Sequence, residues 1–116
     1  MIELYGLKVC GTCKKALAWL EAHGVPHRFI DYREQPVPPE TLRAWARVVP
    51  WEKLVNRSGP TWRNLPEARK NPRGEGDWLA LIRDYPALVR RPVVTRDGQL
   101  LAVGFSEKRF AELCGR

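Results

Sequence analysis

Cys10 and Cys13, in Cys10-Gly11-Thr12-Cys13, are the residues of this chain whose type and spacing are best suited to chemistry. A thiolate is a nucleophile, and a second thiol one helical turn deeper lies within reach of a mixed disulfide formed on the first. At the start of a helix, unpaired N–H groups and the positive end of the helix dipole favour thiolate over thiol. Cys10 is therefore the candidate nucleophile and Cys13 the candidate resolving thiol. Gly11 and Thr12 keep the turn small and leave the Cys10 sulfur open to a substrate, which makes them candidate substrate-binding positions. Lys8, Lys14 and Lys15 add positive potential nearby, screened by salt where exposed.

Two other readings of the cysteines stand beside this one. Cys-x-x-Cys is also half of a structural zinc site, but no second pair follows; Cys114 with His23 or His27 would complete four ligands only by spatial accident, so no metal is expected. Free cysteines are also often small core residues, a reading that suits Cys13 better than Cys10. Cys114, close to the C-terminus, is read as an incidental thiol. Two further positions offer cationic contacts. Arg91, before Pro92 in Arg90-Arg91-Pro92, would pair with the Cys10 thiolate or an anionic substrate group, or else is a solvated arginine at a strand start. Pro92 itself invites a cis peptide. Arg57, in the turn-rich Asn56-Arg57-Ser58-Gly59-Pro60, is a second candidate anion contact in what reads as a loop.

The elements that must position these residues follow from periodicity. Ile2-Glu3-Leu4-Tyr5 alternates and runs into Gly6, as a short strand does. From Gly11 to His23 the spacing is helical, with Cys13, Ala16, Leu17 and Leu20 on one side, Lys14, Lys15 and Glu21 facing water, and Gly24 ending the helix. Arg28-Phe29-Ile30-Asp31-Tyr32 reads as a second strand, parallel to the first. Between Arg33 and Arg90 no comparable strand is evident, and Pro-bounded helices are expected at about 39–47, 50–56 and 75–84, with Trp45, Trp51, Trp62 and Trp78 as their core. Pro92-Val93-Val94-Thr95 and Leu100-Leu101-Ala102-Val103 flank Asp97-Gly98, a hairpin signal, and Ser106 caps a terminal helix carrying Phe110 and Leu113. The order β-α-β, helices, β-hairpin, α is that of an α/β thioredoxin-like fold with a helical insertion at about 34–90, and the 116 residues are expected to form one domain.

Composition narrows the class. A hydrophobic content of 44% with five tryptophans supports a packed core. No apolar stretch approaches the roughly 20 residues of a membrane span, and no signal-peptide pattern precedes the first strand, so a cytoplasmic protein without a membrane partner is expected. Cellular reductants there argue for working thiols over structural disulfides. The net charge of +7 is spread along the chain rather than gathered into a block, and no direct nucleic-acid contact is expected.

These residues together resemble the arsenate reductase-like family, which contains ArsC, the Spx regulators and YffB-type proteins. The resemblance is carried by Leu4-Tyr5-Gly6-Leu7-Lys8-x-Cys10, Lys14-Lys15-Ala16, Asp31-Tyr32-Arg33, Leu54-Val55-Asn56-Arg57-Ser58-Gly59, Thr61-Trp62-Arg63-x-Leu65, Arg90-Arg91-Pro92 and Val103-Gly104-Phe105-Ser106. Thr61-Trp62-Arg63 and Gly104-Phe105-Ser106 align it with the YffB-type branch. The resemblance implies a thioredoxin-like fold with a helical insertion, a nucleophilic cysteine at Cys10 and an arginine before a proline at Arg91. Arsenate reductases of this type use further arginines for the oxyanion, whereas this chain has Gly104 at one such position and Asn56, followed by Arg57, at the other. An arsenate ion would be poorly held.

The expected activity is accordingly thiol-disulfide reduction. Its substrate would be a small thiol or protein disulfide and its electron donor glutathione or thioredoxin, with no bound cofactor and a monomeric chain. Resemblance to the YffB-type branch implies glutathione as the second thiol. Resemblance to Spx, where Cys-x-x-Cys is a redox switch, implies the alternative of a regulator that binds RNA polymerase.

Overall fold

A computed structural model describes residues 1–116. In chain order its elements are β1 (Ile2–Gly6), α1 (Gly11–Ala22), β2 (His27–Asp31), α2 (Pro39–Ala46), α3 (Trp51–Leu54), α4 (Pro60–Arg63), α5 (Glu75–Asp84), β3 (Val93–Arg96), β4 (Gln99–Val103) and α6 (Glu107–Cys114), with short 3₁₀ turns at Glu67–Arg69 and Pro86–Leu88. The chain divides into two compact units, one of residues 1–35 with 91–116 and one of residues 36–90.

The first unit holds a four-stranded sheet in the order β2-β1-β3-β4. β1 pairs in parallel with β2 and antiparallel with β3, which pairs antiparallel with β4. A parallel pair needs a crossover, and α1 supplies it. With the hairpin and α6 following, this is the expected thioredoxin-like arrangement. In β1 the side chains alternate, Ile2, Leu4 and Gly6 buried and Glu3 and Tyr5 half-buried. α1 buries Cys13, Ala16, Trp19 and Leu20, while Leu17 is only half-buried; Trp19 takes the inner position because its ring packs edge-on against Phe110 at 5.7 Å. The helix ends at Gly24, whose φ of +63° lets its own N–H and that of Val25 return to the carbonyls of Glu21 and Leu20. Tyr32, expected in β2, lies just beyond it, although its N–H still bonds the Gly6 carbonyl at 3.1 Å. At the hairpin, Asp97 (φ +51°) and Gly98 (φ +85°) take the two left-handed positions of a tight turn. Ser106 Oγ accepts the Arg109 N–H at 3.3 Å and caps α6.

In the second unit three short helices begin at a proline or directly after one, at Pro39, Pro50 before Trp51, and Pro60, while α5 begins at Glu75 after Gly74. Trp45, Trp62 and Trp78 are buried, and half-buried Trp51 stacks on Trp78 at 6.3 Å. Two expectations need correction. The helix expected to reach residue 56 ends at Leu54, because Val55 turns extended and forms an antiparallel bridge with Val89. Hydrogen bonds from Asn56 N–H to Leu88 (2.8 Å) and from Arg90 N–H to Leu54 (2.9 Å) flank that bridge, so the stretch between the strands is not wholly helical. The segment after Asn56, expected as loop, becomes helical at Pro60, where the fixed φ of proline suits the first helical position and buries Trp62. No helix is long and apolar enough to cross a membrane.

Phe110 is 1% exposed and meets both Trp19 and, at 4.8 Å, Phe105. Phe110→Ala should lower the unfolding free energy by about 3–5 kcal/mol, read from urea denaturation, because it opens a cavity between two rings that cannot both collapse into it. A change below about 1 kcal/mol would show that this contact is not part of the core.

Candidate active site

The site is assembled where β1 and β2 end side by side. After Gly6 the chain makes a turn closed by the Cys10 N–H on the Leu7 carbonyl at 3.1 Å, and the Lys14 N–H on the Cys10 carbonyl at 3.0 Å begins α1. Asp31, at the end of β2, fixes this loop: its Oδ2 accepts the Lys8 N–H at 3.0 Å and its Oδ1 the Arg33 N–H at 2.8 Å. The backbone bond from Lys8, with those from Arg33 and Glu34, outweighs burial and holds the Asp31 carboxyl below its ordinary range. Lys8 Nζ is engaged 2.7 Å from Glu34, so its charge is not the free contribution to the cysteine loop that its position suggests.

Cys10 occupies the N-cap position of α1 and is partly exposed. Its side chain closes no conventional cap, and the effect of the first helical N–H groups falls on its ionisation. Burial pushes the Cys10 thiol up, but hydrogen bonding with the Cys13 N–H, the Cys13 thiol, the Thr12 N–H and the Arg91 guanidinium outweighs it, so the ionisation lies below the ordinary cysteine value. Cys13 is the opposite case. It is fully buried, and desolvation, with the negative charge of Cys10 adding to it, pushes its thiol up to about 11. One cysteine is therefore disposed to be the anion and the other to be the donor that faces it. All three cysteines are free thiols, and Cys114 packs at the edge of the core around Phe110.

The remaining candidate residues divide. Gly11 and Thr12 are exposed beside the sulfur. Pro92 is buried at the head of β3, and its peptide bond with Arg91 is cis. Arg91 is half-buried, hydrogen-bonds with the Cys10 sulfur and donates from Nη1 to the Tyr32 hydroxyl at 3.1 Å. Cys10, Cys13, Thr12 and Arg91 thus meet in the first unit. Arg57 belongs to the second, exposed, with its guanidinium 5.4 Å from the centre of the Trp62 ring. No cluster of three or more His, Cys, Asp or Glu side chains is placed to hold a metal ion.

Three residues of the site were not singled out from the sequence: Gly6, Asp31 and Tyr32. Gly6 faces Cys13 so closely that a Cβ there would lie inside contact distance of its Sγ, which only glycine allows. The signal that would have found Asp31 and Tyr32 is the parallel register, which sets Asp31 beside Gly6 at the point where the cysteine loop leaves the sheet.

The ArsC family pattern matches residues 5–113. The chain belongs to the ArsC family. Among solved structures, a protein named YffB superposes with a TM-score of 0.90 at 36% identity, covering 98% of this chain and 99% of its own. An ArsC-related protein from Brucella melitensis, described as arsenate reductase related, superposes with a TM-score of 0.76 at 40% identity over 96% of this chain and 92% of its own. A relative in Lactococcus lactis, the global transcriptional regulator Spx 1, is 31% identical over 109 residues, 92% of this chain and 84% of its own. Reductase-related and regulatory proteins are therefore both similar to this ArsC-family chain, and its thioredoxin-like fold is that of the family.

Two outcomes test the geometry. Gly6→Ala should destabilise the chain by about 1–3 kcal/mol through overpacking against the Cys13 sulfur, and should cost clearly less in a Cys13→Ala background where that sulfur is gone, both read from denaturant midpoints; an equal cost in the two backgrounds would contradict the close approach. For Asp31, the folded ionisation lies below the unfolded value of about 3.9, so its stabilisation is complete above that pH and is lost as pH falls toward the folded value. Asp31→Asn should therefore be less stable than the parent at neutral pH and show a shallower decline between about pH 5 and 2 in acid titrations followed by circular dichroism.

Proposed function

We propose that this ArsC-family chain is a thiol-disulfide reductase in which Cys10 is the nucleophile, Cys13 or glutathione resolves, and Arg91 stabilises the Cys10 thiolate or an anionic group of the substrate. The observation that carries this reading is the placement of a partly exposed Cys10 at the N-cap of α1, with the fully buried Cys13 one turn deeper and the Arg91 guanidinium beside the sulfur; the ionisation directions of the two thiols agree with it. The Cys10 thiolate attacks one sulfur of a substrate disulfide, that S–S bond breaks, and the electron pair leaves on the other sulfur, which takes a proton from solvent. Cys13 then loses its proton and attacks the Cys10 sulfur, the mixed disulfide bond breaks, and the substrate sulfur that Cys10 first attacked departs and takes up a proton, leaving a Cys10–Cys13 disulfide. Forming the mixed disulfide removes the negative charge of Cys10, one of the causes that keep Cys13 protonated. Burial remains, which is why glutathione competes as the resolving thiol. Two electrons from glutathione or thioredoxin restore the dithiol.

A disulfide substrate suits the site better than arsenate. Gly104, with a φ of +92°, stands where the family resemblance expects an arginine, and its N–H is occupied by the Pro92 carbonyl at 2.7 Å. A small thiol or protein disulfide in a cytoplasmic setting is accordingly the proposed substrate, met by a monomeric chain.

With a glutathione mixed disulfide as substrate, Cys10→Ser should lose at least about a hundredfold in turnover, as expected when a covalent nucleophile is removed. Cys13→Ser should accumulate a Cys10 mixed disulfide detectable by intact mass and turn over only when glutathione is added. Unchanged turnover in Cys10→Ser would refute the mechanism.

The similarity to Spx 1 favours a second reading, in which oxidation of Cys10 and Cys13 alters a surface that binds RNA polymerase. A pull-down from extract under oxidising and reducing conditions separates the two readings. The reductase should retain no polymerase in either state, whereas retention in one redox state alone would favour the regulator.

A further inference from the structure

Arg91 carries its guanidinium on a long stem, and such a side chain keeps one orientation only where a partner offsets the entropy of ordering it. One such partner is Tyr32. Arg91 Nη1 donates to the Tyr32 hydroxyl at 3.1 Å, while the same guanidinium hydrogen-bonds with the Cys10 sulfur. Tyr32 is 2% exposed and follows directly on Asp31, the residue that clamps the cysteine loop. Its own N–H is fixed on the Gly6 carbonyl at 3.1 Å, so the phenol is placed by the β1–β2 pair, whereas Arg91 arrives from the far side of the sequence ahead of β3. The thiol exchange steps use no phenol, which leaves this buried hydroxyl without a chemical task of its own.

We infer that Tyr32 is a positioning residue, whose hydroxyl holds the Arg91 guanidinium against the Cys10 sulfur. The inference rests on the reductase reading of Cys10. Burial pushes the Tyr32 hydroxyl up to about 12 and outweighs the guanidinium beside it, so the phenol stays neutral throughout the range in which thiols exchange. A neutral acceptor orients the guanidinium without cancelling its charge. A carboxylate in the same place would form an ion pair with Arg91 and weaken its hold on the sulfur.

The test is the pH profile of Cys10 alkylation by iodoacetamide, followed by peptide mass, in the wild type, Tyr32→Phe, Arg91→Met and the double variant. Tyr32→Phe keeps the ring that fills the buried site. It should move the midpoint upward and slow alkylation below the wild-type midpoint by about two- to tenfold, the size of one net hydrogen bond. Arg91→Met should move it at least as far, and Tyr32→Phe should add nothing in the Arg91→Met background, because Tyr32 acts through Arg91. A Tyr32→Phe profile identical to the wild type, or an effect that persists undiminished in the Arg91→Met background, would overturn the inference. If Tyr32→Phe does not fold, Arg91→Lys decides: a single ammonium cannot bridge phenol and sulfur as a fork does, so its midpoint should lie above the wild type, and a wild-type midpoint would overturn the inference. Failure of the reductase reading looks different, since the wild type itself would then alkylate at an ordinary thiol midpoint and reduce no disulfide.

Discussion

The Cys10 sulfur sits partly out of water at the head of a helix, and a thiolate there must find its donors within the protein. Each part of the site answers that requirement. α1 begins at Gly11, so the N–H groups of Thr12 and Cys13 fall beside the sulfur. Cys13, kept protonated by its own burial, adds a thiol proton, and Arg91 adds a charge. Without these contributions burial alone would leave Cys10 a poor nucleophile at neutral pH.

The residues of the site come from three separated stretches of chain, and the sheet brings them together. β1 delivers the cysteine loop, β2 delivers Asp31 and Tyr32 beside it, and the head of β3 delivers Arg91 and Pro92. Gly6 shows how tightly these demands are coupled: a strand position that would accept many side chains is restricted to glycine because the buried Cys13 Sγ occupies the space of its Cβ. Position and protonation of Cys13 thus follow from the same burial.

Much of this was legible in the sequence because it is local. Cys-x-x-Cys before a helical pattern, Asp97-Gly98 between two apolar runs and Ser106 ahead of α6 each carry their structural meaning within a few residues. What escaped depends on partners far along the chain. Trp19 is buried because Phe110 meets it, although the helical pattern places Leu17 inside; Val55 is extended because Val89 pairs with it, although a helix precedes it. Tyr32 reads as one more strand residue until Arg91 is seen to hydrogen-bond its hydroxyl. The second unit is legible in its prolines and tryptophans, yet its helices are short, and Pro60 begins one where a run of polar turn residues suggests none.

Cys10 and Cys13, three residues apart, ionise on opposite sides of the ordinary thiol range, the first below it and the second above. Thiolate ultraviolet absorbance followed across pH decides this, in the fully reduced chain and in Cys10→Ser, both carrying Cys114→Ser so that the third free thiol adds no step of its own. The first step should lie below the ordinary cysteine value and disappear in Cys10→Ser, with Cys13 ionising well above it. A single step near the free-cysteine value, unchanged by Cys10→Ser except in amplitude, would contradict it.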